Sequence, residues 1–66
     1  MNFRELQAQL RHAKYMYMNG KGDYAEVQRL ARQAADAYNE FATETAERFN
    51  QRPRLTTAAT LIRNTK

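Results

Sequence analysis

Apolar residues recur at every third or fourth position through the first eighteen residues of the chain. The stripe consists of Phe3, Leu6, Leu10, Ala13 and Tyr17. This spacing predicts an amphipathic helix over about residues 3–18. Asn2 is placed to cap its first turn, and Asn19-Gly20 supplies the left-handed conformation with which helices commonly end.

A second and longer pattern follows the loop of residues 19–23. Asp23 is placed as an N-cap, and the chain then holds no Gly or Pro until Pro53, which predicts a helix over about residues 24–50. Its apolar face comprises Val27, Leu30, Ala31, Ala34, Tyr38, Phe41 and Thr45, extended by Phe49. Its opposite side carries Asp36, Glu40, Glu44 and Glu47.

The C-terminal residues indicate a third, shorter helix. Leu55, Ala58, Leu61 and Ile62 predict it over about residues 54–63, although the neighbouring threonines lower helix propensity. A five-residue loop between two amphipathic helices is typical of an antiparallel hairpin. The expected fold class is therefore all-α, with an antiparallel helical hairpin and a short C-terminal helix in one small domain of residues 1–66.

Four large apolar side chains follow one another at the end of the first helix, from Tyr15 to Met18. Consecutive helical residues point about 100° apart, so these side chains surround the helix. Tyr17 continues the stripe and is expected in the seam between the two long helices. Tyr15, Met16 and Met18 point elsewhere.

The reach of the C-terminal helix decides whether it covers them. Eleven helical residues after Pro53 extend only ~16 Å, to about the level of Phe41. We therefore expect the third helix to cover the part of the second that extends beyond the first, with Leu55, Leu61 and Ile62 on Phe41, Phe49 and Phe3. The tyrosine and methionine end is left uncovered.

Exposed Tyr and Met side chains of this kind are typical of protein interfaces. We expect Tyr15, Met16 and Met18, with Tyr24 as neighbour, to bind another protein or a second copy of the chain, for example as a dimer with a four-helix core. This makes the chain a small adaptor, regulator or inhibitor that occupies a partner surface. The alternative is that one or two of these side chains are simply partly exposed, which is common.

Charge introduces a second functional hypothesis. The formal net charge is +4, the pI is about 9.9, and no acidic residue follows position 47. Arg48, Arg52, Arg54 and Arg63 would then contact the phosphates of a nucleic acid. No helix-turn-helix pattern supports this alternative, and a steep loss of affinity with salt would distinguish it from an apolar contact.

The residue types absent from the chain narrow its chemistry. It contains no Cys and no Ser, and His12 is its only histidine. We therefore expect no disulfide, no metal site, no cofactor and no enzymatic activity. No run approaches the ~20 apolar residues of a membrane span, and the N-terminus has no apolar signal-peptide core, so a cytoplasmic location is expected. The composition is similar to that of small bacterial or phage accessory proteins, without a motif behind the similarity.

Overall fold

The computed structural model describes residues 2–65 and contains three helices. They are α1 (Phe3–Met18), α2 (Tyr24–Arg48) and α3 (Ala58–Asn64). α1 packs antiparallel on α2, and α3 packs on α2 as well. Within the described range no strand is present. The molecule is elongated, with dimensions of 45 × 20 × 17 Å, and the predicted all-α hairpin with a short C-terminal helix is confirmed.

The hairpin begins and ends at the predicted signals. Asn2 Oδ1 accepts from the Glu5 amide at 2.8 Å, and Asp23 Oδ1 accepts from the Ala25 amide at 3.0 Å. Gly20 adopts a left-handed φ of 73°, which closes α1 without steric strain. Gly22 then lies so close to the last turn of α1 that a Cβ there would be 2.8 Å from the backbone nitrogen of Tyr17.

The core of the hairpin combines larger side chains from α1 with smaller ones from α2. Its buried residues are Leu6, Leu10 and Ala13 from α1 and Val27, Leu30, Ala31, Ala34 and Ala35 from α2. Leu10 and Val27 are the largest fully buried side chains. The small alanines present little bulk, so the two backbones can approach each other. Tyr17 does contact α2, through the ring of Tyr24 at 5.0 Å, but it stays 42% exposed.

α2 ends two residues earlier than predicted, and Asn50 is responsible. This residue takes a left-handed φ of 55°, and the following Gln51 amide donates to the Ala46 carbonyl at 2.8 Å. The pattern satisfies the last carbonyls of the helix, as glycine does at the end of α1. Pro53 therefore lies in a segment that has already left the helix.

Residues 51–57 are non-helical rather than the start of a helix, which corrects the expected bounds of 54–63. α3 begins only at Ala58, because Thr57 acts as its N-cap and accepts from the Thr60 amide at 3.2 Å. A seven-residue extended segment covers up to roughly 23 Å, about twice what the same residues cover as a helix. The C-terminal segment therefore reaches much further along α2 than expected.

The expected packing of the third helix is consequently wrong. Leu61 and Ile62 pack with Ala58 against the cluster formed by Leu10, Ala13, Val27, Leu30 and Ala31. Leu55, Phe41 and Phe49, which were expected in that contact, are 63–67% exposed. Phe3 packs instead on Tyr38, with ring centroids 5.4 Å apart.

Two polar side chains, Asn39 and Lys14, hold the C-terminal segment in place. The Asn39 side chain donates to the Thr56 carbonyl at 2.9 Å and accepts from the Thr56 amide at 2.7 Å. Further along, Lys14 Nζ donates to the carbonyls of Ile62 and Thr65, both at 2.6 Å. A lysine of α1 thus caps the carboxyl end of α3, where a positive charge is favourable.

Candidate functional site

The end of the hairpin near its loop exposes four large side chains, which we call the loop-end patch: Tyr15, Tyr17, Met18 and Tyr24. Tyr15 is 65% and Met18 71% exposed, whereas Tyr17 and Tyr24 are 42% and 41% exposed. Tyr17 and Tyr24 contact each other across the hairpin, while Tyr15 projects from α1 well away from that seam. Three of the four predicted partner-binding residues are therefore exposed at this end.

Met16, the fourth predicted residue, is half-buried and belongs to an open groove beside the patch. The groove has a volume of about 620 Å³ and runs between α1 and α2, with Ala8, Ala13 and Leu30 among its lining residues. His12 also borders it and is exposed. On the 100° spacing of helical residues, the groove flank of α1 lies opposite the Lys14 flank that contacts α3. α3 therefore leaves this groove open.

A second exposed apolar surface lies at the other end of the molecule. α1 begins at Phe3, which packs on Tyr38, so the α2 residues beyond Tyr38 have no α1 opposite them. We call the exposed side chains there the overhang patch: Phe41, Phe49 and Leu55. They are 67%, 64% and 63% exposed, although α3 was expected to cover them.

Phe41 is the member of the overhang patch that lines a second groove, of about 350 Å³. Its floor is the α2 surface that includes Tyr38, Phe41 and Thr45, and its wall is the segment Gln51–Arg54. Arg52 and Arg54 therefore border one edge. On the other side of Phe41, Arg48 lies about 20° away around α2, and Glu44 and Glu40 lie about 60° and 100° away. All five charged side chains are exposed, and no ion pair joins any of them to another residue between 2 and 65.

The arginines predicted for nucleic acid do not form one cluster. Arg48, Arg52 and Arg54 lie at the overhang end, close to one another in the chain. Arg63 lies on α3 between residues whose carbonyls bind Lys14, beside the core of the hairpin. All four are exposed, but a single phosphate backbone would have to follow the length of the C-terminal segment to contact all of them.

Other kinds of site find no counterpart in the described part of the chain. Residues 2–65 contain no group of three His, Cys, Asp or Glu side chains that could hold a metal ion. No helix among them is long and apolar enough to cross a membrane. The features that stand out are therefore exposed apolar side chains at both ends of the molecule.

A capping signal in the sequence could have indicated that the overhang patch is exposed. Thr56 and Thr57 follow a proline, and threonine is a strong N-cap residue. A helix that starts after Thr57 leaves Gln51 to Thr57 extended, so that Leu61 and Ile62 move towards the hairpin loop. The expected start of α3 was too early, and this start determines which part of α2 is predicted to be exposed.

No protein-family model, curated protein or solved structure matches the chain.

Proposed function

We propose that the chain is a non-enzymatic protein-binding module, a small adaptor, regulator or inhibitor that acts by occupying the surface of a partner. The observation that carries the proposal is the exposure of seven large apolar side chains, between 41% and 71% each, at the two ends of one small molecule. Exposed apolar patches mark interaction sites in many proteins.

The proposed binding surface is the loop-end patch together with Met16. It includes the predicted partner-binding residues Tyr15, Met16, Met18 and Tyr24. Tyrosine contributes a large ring with a hydroxyl that tolerates water, and methionine adapts its shape to irregular partners. The open groove beside Met16 continues this surface along α1. A partner side chain or helix that enters the groove would contact Ala13, Met16 and Leu30 together.

Self-association is one form that this binding takes. A second copy that docks its own loop-end patch and groove would cover both surfaces and enlarge a core that is small for an independent domain. Sedimentation equilibrium over a wide concentration range measures this directly.

The test uses a variant in which two exposed side chains are replaced, Tyr15→Gln and Met18→Gln. The matched control changes two exposed polar residues of α2, Gln28→Ala and Gln33→Ala. Circular dichroism first verifies that both variants keep the wild-type helix content. Affinity capture from the native cell extract, after nuclease treatment, is then combined with sedimentation of each purified chain.

We expect the wild-type chain and the Gln28→Ala/Gln33→Ala control to capture the same protein or to self-associate alike. The Tyr15→Gln/Met18→Gln variant should lose that interaction by at least tenfold in affinity, since interface aromatic and methionine side chains contribute 1 kcal/mol or more in such contacts. A wild-type chain that stays monomeric and captures nothing after nuclease treatment would refute the proposal.

A further inference from the structure

We infer that one side of the molecule, formed by α1 and α3, docks on the phosphate backbone of double-stranded nucleic acid. We call this side the α1–α3 face, and its exposed basic side chains are Arg4, Arg11 and Arg63. Of these, only Arg63 belongs to the arginines that the sequence predicted for nucleic acid. The binding goes beyond the proposed function, because it uses a different surface and a different class of partner.

The arginines of this face differ from the other helical arginines in their neighbours along the helix. Side chains three or four positions apart on a helix contact each other. The helical arginines with an acidic residue at that spacing are Arg29, Arg32 and Arg48. Arg29, for example, forms an ion pair with Glu26 at 2.8 Å. The three arginines of the α1–α3 face have no acidic residue at that spacing, and no ion pair joins them to any residue between 2 and 65.

The acidic residues of the two long helices point away from α3. On α1, Lys14 marks the flank beside α3, and Arg11 points about 60° from it, whereas Glu5 points about 180° away. On α2, the α3 side lies between Ala31, which belongs to the cluster under α3, and Asn39, which binds the segment before α3. The acidic residues of α2 all lie about 100–180° from the midpoint of these two. α3 itself contains no acidic residue, so the α1–α3 face is basic.

The polar groups of the face are those that bind phosphate. Arg4 and Arg11 lie on one flank of α1, two turns or about 10 Å apart. Arg11 also lines a hollow of about 380 Å³ between α1 and the end of α3. The residues that line it are Gln7, Arg11, Asn64 and Thr65. Arg63 directly precedes this end of α3. Arg, Gln, Asn and Thr side chains all contact phosphate oxygens in protein–DNA complexes, and a guanidinium group binds a phosphate through two hydrogen bonds.

Other partners fit this face less well. Proteins that lie on anionic membranes combine basic residues with inserted apolar side chains, and protein interfaces have an apolar core. The large exposed apolar side chains of this chain lie towards its two ends, and Tyr15 is the one next to Arg11 on α1. Single-strand sites stack successive bases on several aromatic rings. One tyrosine at the border therefore favours the backbone of a duplex.

The experiment compares two triple variants that remove the same amount of charge. The face variant is Arg4→Gln/Arg11→Gln/Arg63→Gln. The control variant is Arg29→Gln/Arg32→Gln/Arg48→Gln, which changes the helical arginines that have acidic neighbours. Circular dichroism first verifies that both keep the wild-type helix content. Fluorescence anisotropy then measures the affinity of each chain for a labelled DNA duplex of about twenty base pairs, between about 30 and 150 mM salt.

We expect the affinity of the wild-type chain to fall with salt as three phosphate contacts predict, with a slope of log K against log salt of about −2.7. The face variant should lose at least about tenfold in affinity at low salt, since each exposed charge contact changes affinity a few-fold. Its slope should fall to about −1 or less in magnitude. The control variant should keep the wild-type slope and lose less than about threefold, because its charges lie away from the duplex and salt screens them.

Equal losses in the two variants would overturn the inference, because net charge alone would then account for the binding. A wild-type chain that leaves the duplex unbound at about 30 mM salt would overturn it as well. Phosphatidylserine vesicles and one isolated strand of the duplex are titrated in parallel. Tighter binding to either of them than to the duplex would assign the face to another partner and contradict the inference.

The two proposals fail separately, because they use different side chains. Tyr15→Gln/Met18→Gln should bind the duplex as the wild type does, and the face variant should still capture a protein or self-associate after nuclease treatment. Loss of duplex binding alone leaves the proposed function standing. Absence of a protein partner, with salt-dependent duplex binding that only the face variant loses, removes the protein-binding proposal and leaves this inference.

Discussion

Lys14 joins the two parts of the molecule at the scale of a single residue. Its ammonium group lies 2.6 Å from two carbonyl oxygens at the carboxyl end of α3, although the residue belongs to α1. Both hydrogen bonds are charge-assisted, and the carbonyls involved have no further helical turn to bind. The positive charge also complements the partial negative charge of the helix end.

Replacing this residue should loosen α3 specifically. We expect Lys14→Met, which keeps much of the aliphatic stem, to lower the free energy of unfolding by about 1–2 kcal/mol. Urea denaturation followed by circular dichroism measures that change, and amide hydrogen exchange should show reduced protection in Ala58–Asn64. Lys21→Met, at an exposed loop lysine, is the matched control, and an equal effect of both changes would contradict this role of Lys14.

Single-residue signals were predictable where they act locally. Asn2, Asp23 and Gly20 have side chains or backbone preferences that act within a few residues of their own position, so their roles follow from the sequence. Lys14 instead binds the carbonyls of Ile62 and Thr65, which are separated from it by 48 and 51 positions in the sequence. Its role depends on where the C-terminal segment lies, and no local pattern around Lys14 indicates that position.

At the scale of elements, the extended segment between α2 and α3 determines the architecture. The chain leaves α2 at Asn50, and residues 51–57 then run extended to the start of α3. These seven residues place α3 along most of the hairpin. Asn39 fixes their position with a pair of hydrogen bonds to the backbone of Thr56, much as a neighbouring strand would. The reach of a short segment therefore depends more on its conformation than on its number of residues.

Removing the Asn39 contact tests this anchoring. Asn39→Ala deletes both hydrogen bonds and leaves the partly buried Thr56 amide without its partner, so we expect the free energy of unfolding to fall by about 1–3 kcal/mol. Hydrogen exchange should report faster exchange of the Thr56 amide and weaker protection of α3. Gln33→Ala, another amide-to-alanine change on α2 but at an exposed position, should leave both quantities nearly unchanged. Unchanged protection at Thr56 in Asn39→Ala would show that the anchor lies elsewhere.

The helices themselves were predictable because each has a strong apolar period and clear caps. α1 has the predicted bounds, and α2 differs by two residues because Asn50 can adopt the left-handed conformation that Gly usually supplies. The start of α3 was not recognised, since several apolar residues precede Thr57 and suggested an earlier start. Tertiary contacts from Asn39 and Lys14 then favour the extended path, and local propensity does not encode them.

The whole molecule is a hairpin that its third helix covers on one flank only. Tyr15 and Met18 at the loop end are exposed as predicted, although α3 does approach that end of the hairpin, contrary to the expectation from its reach as a helix. It packs on the Lys14 flank and stops short of Met18. Because α3 packs there, the overhang patch stays exposed. Its side chains had been expected to lie under α3.

The placement of α3 therefore decides which surfaces are free, and methyl and aromatic NMR measures it most directly. We expect nuclear Overhauser contacts from the Ile62 and Leu61 methyl groups to the cluster that contains Leu10, Val27 and Leu30. None should connect them to the rings of Phe41 or Phe49. Contacts from Leu61 or Ile62 to those phenylalanine rings, with none to Val27 or Leu30, would contradict the arrangement and show that α3 covers the overhang patch.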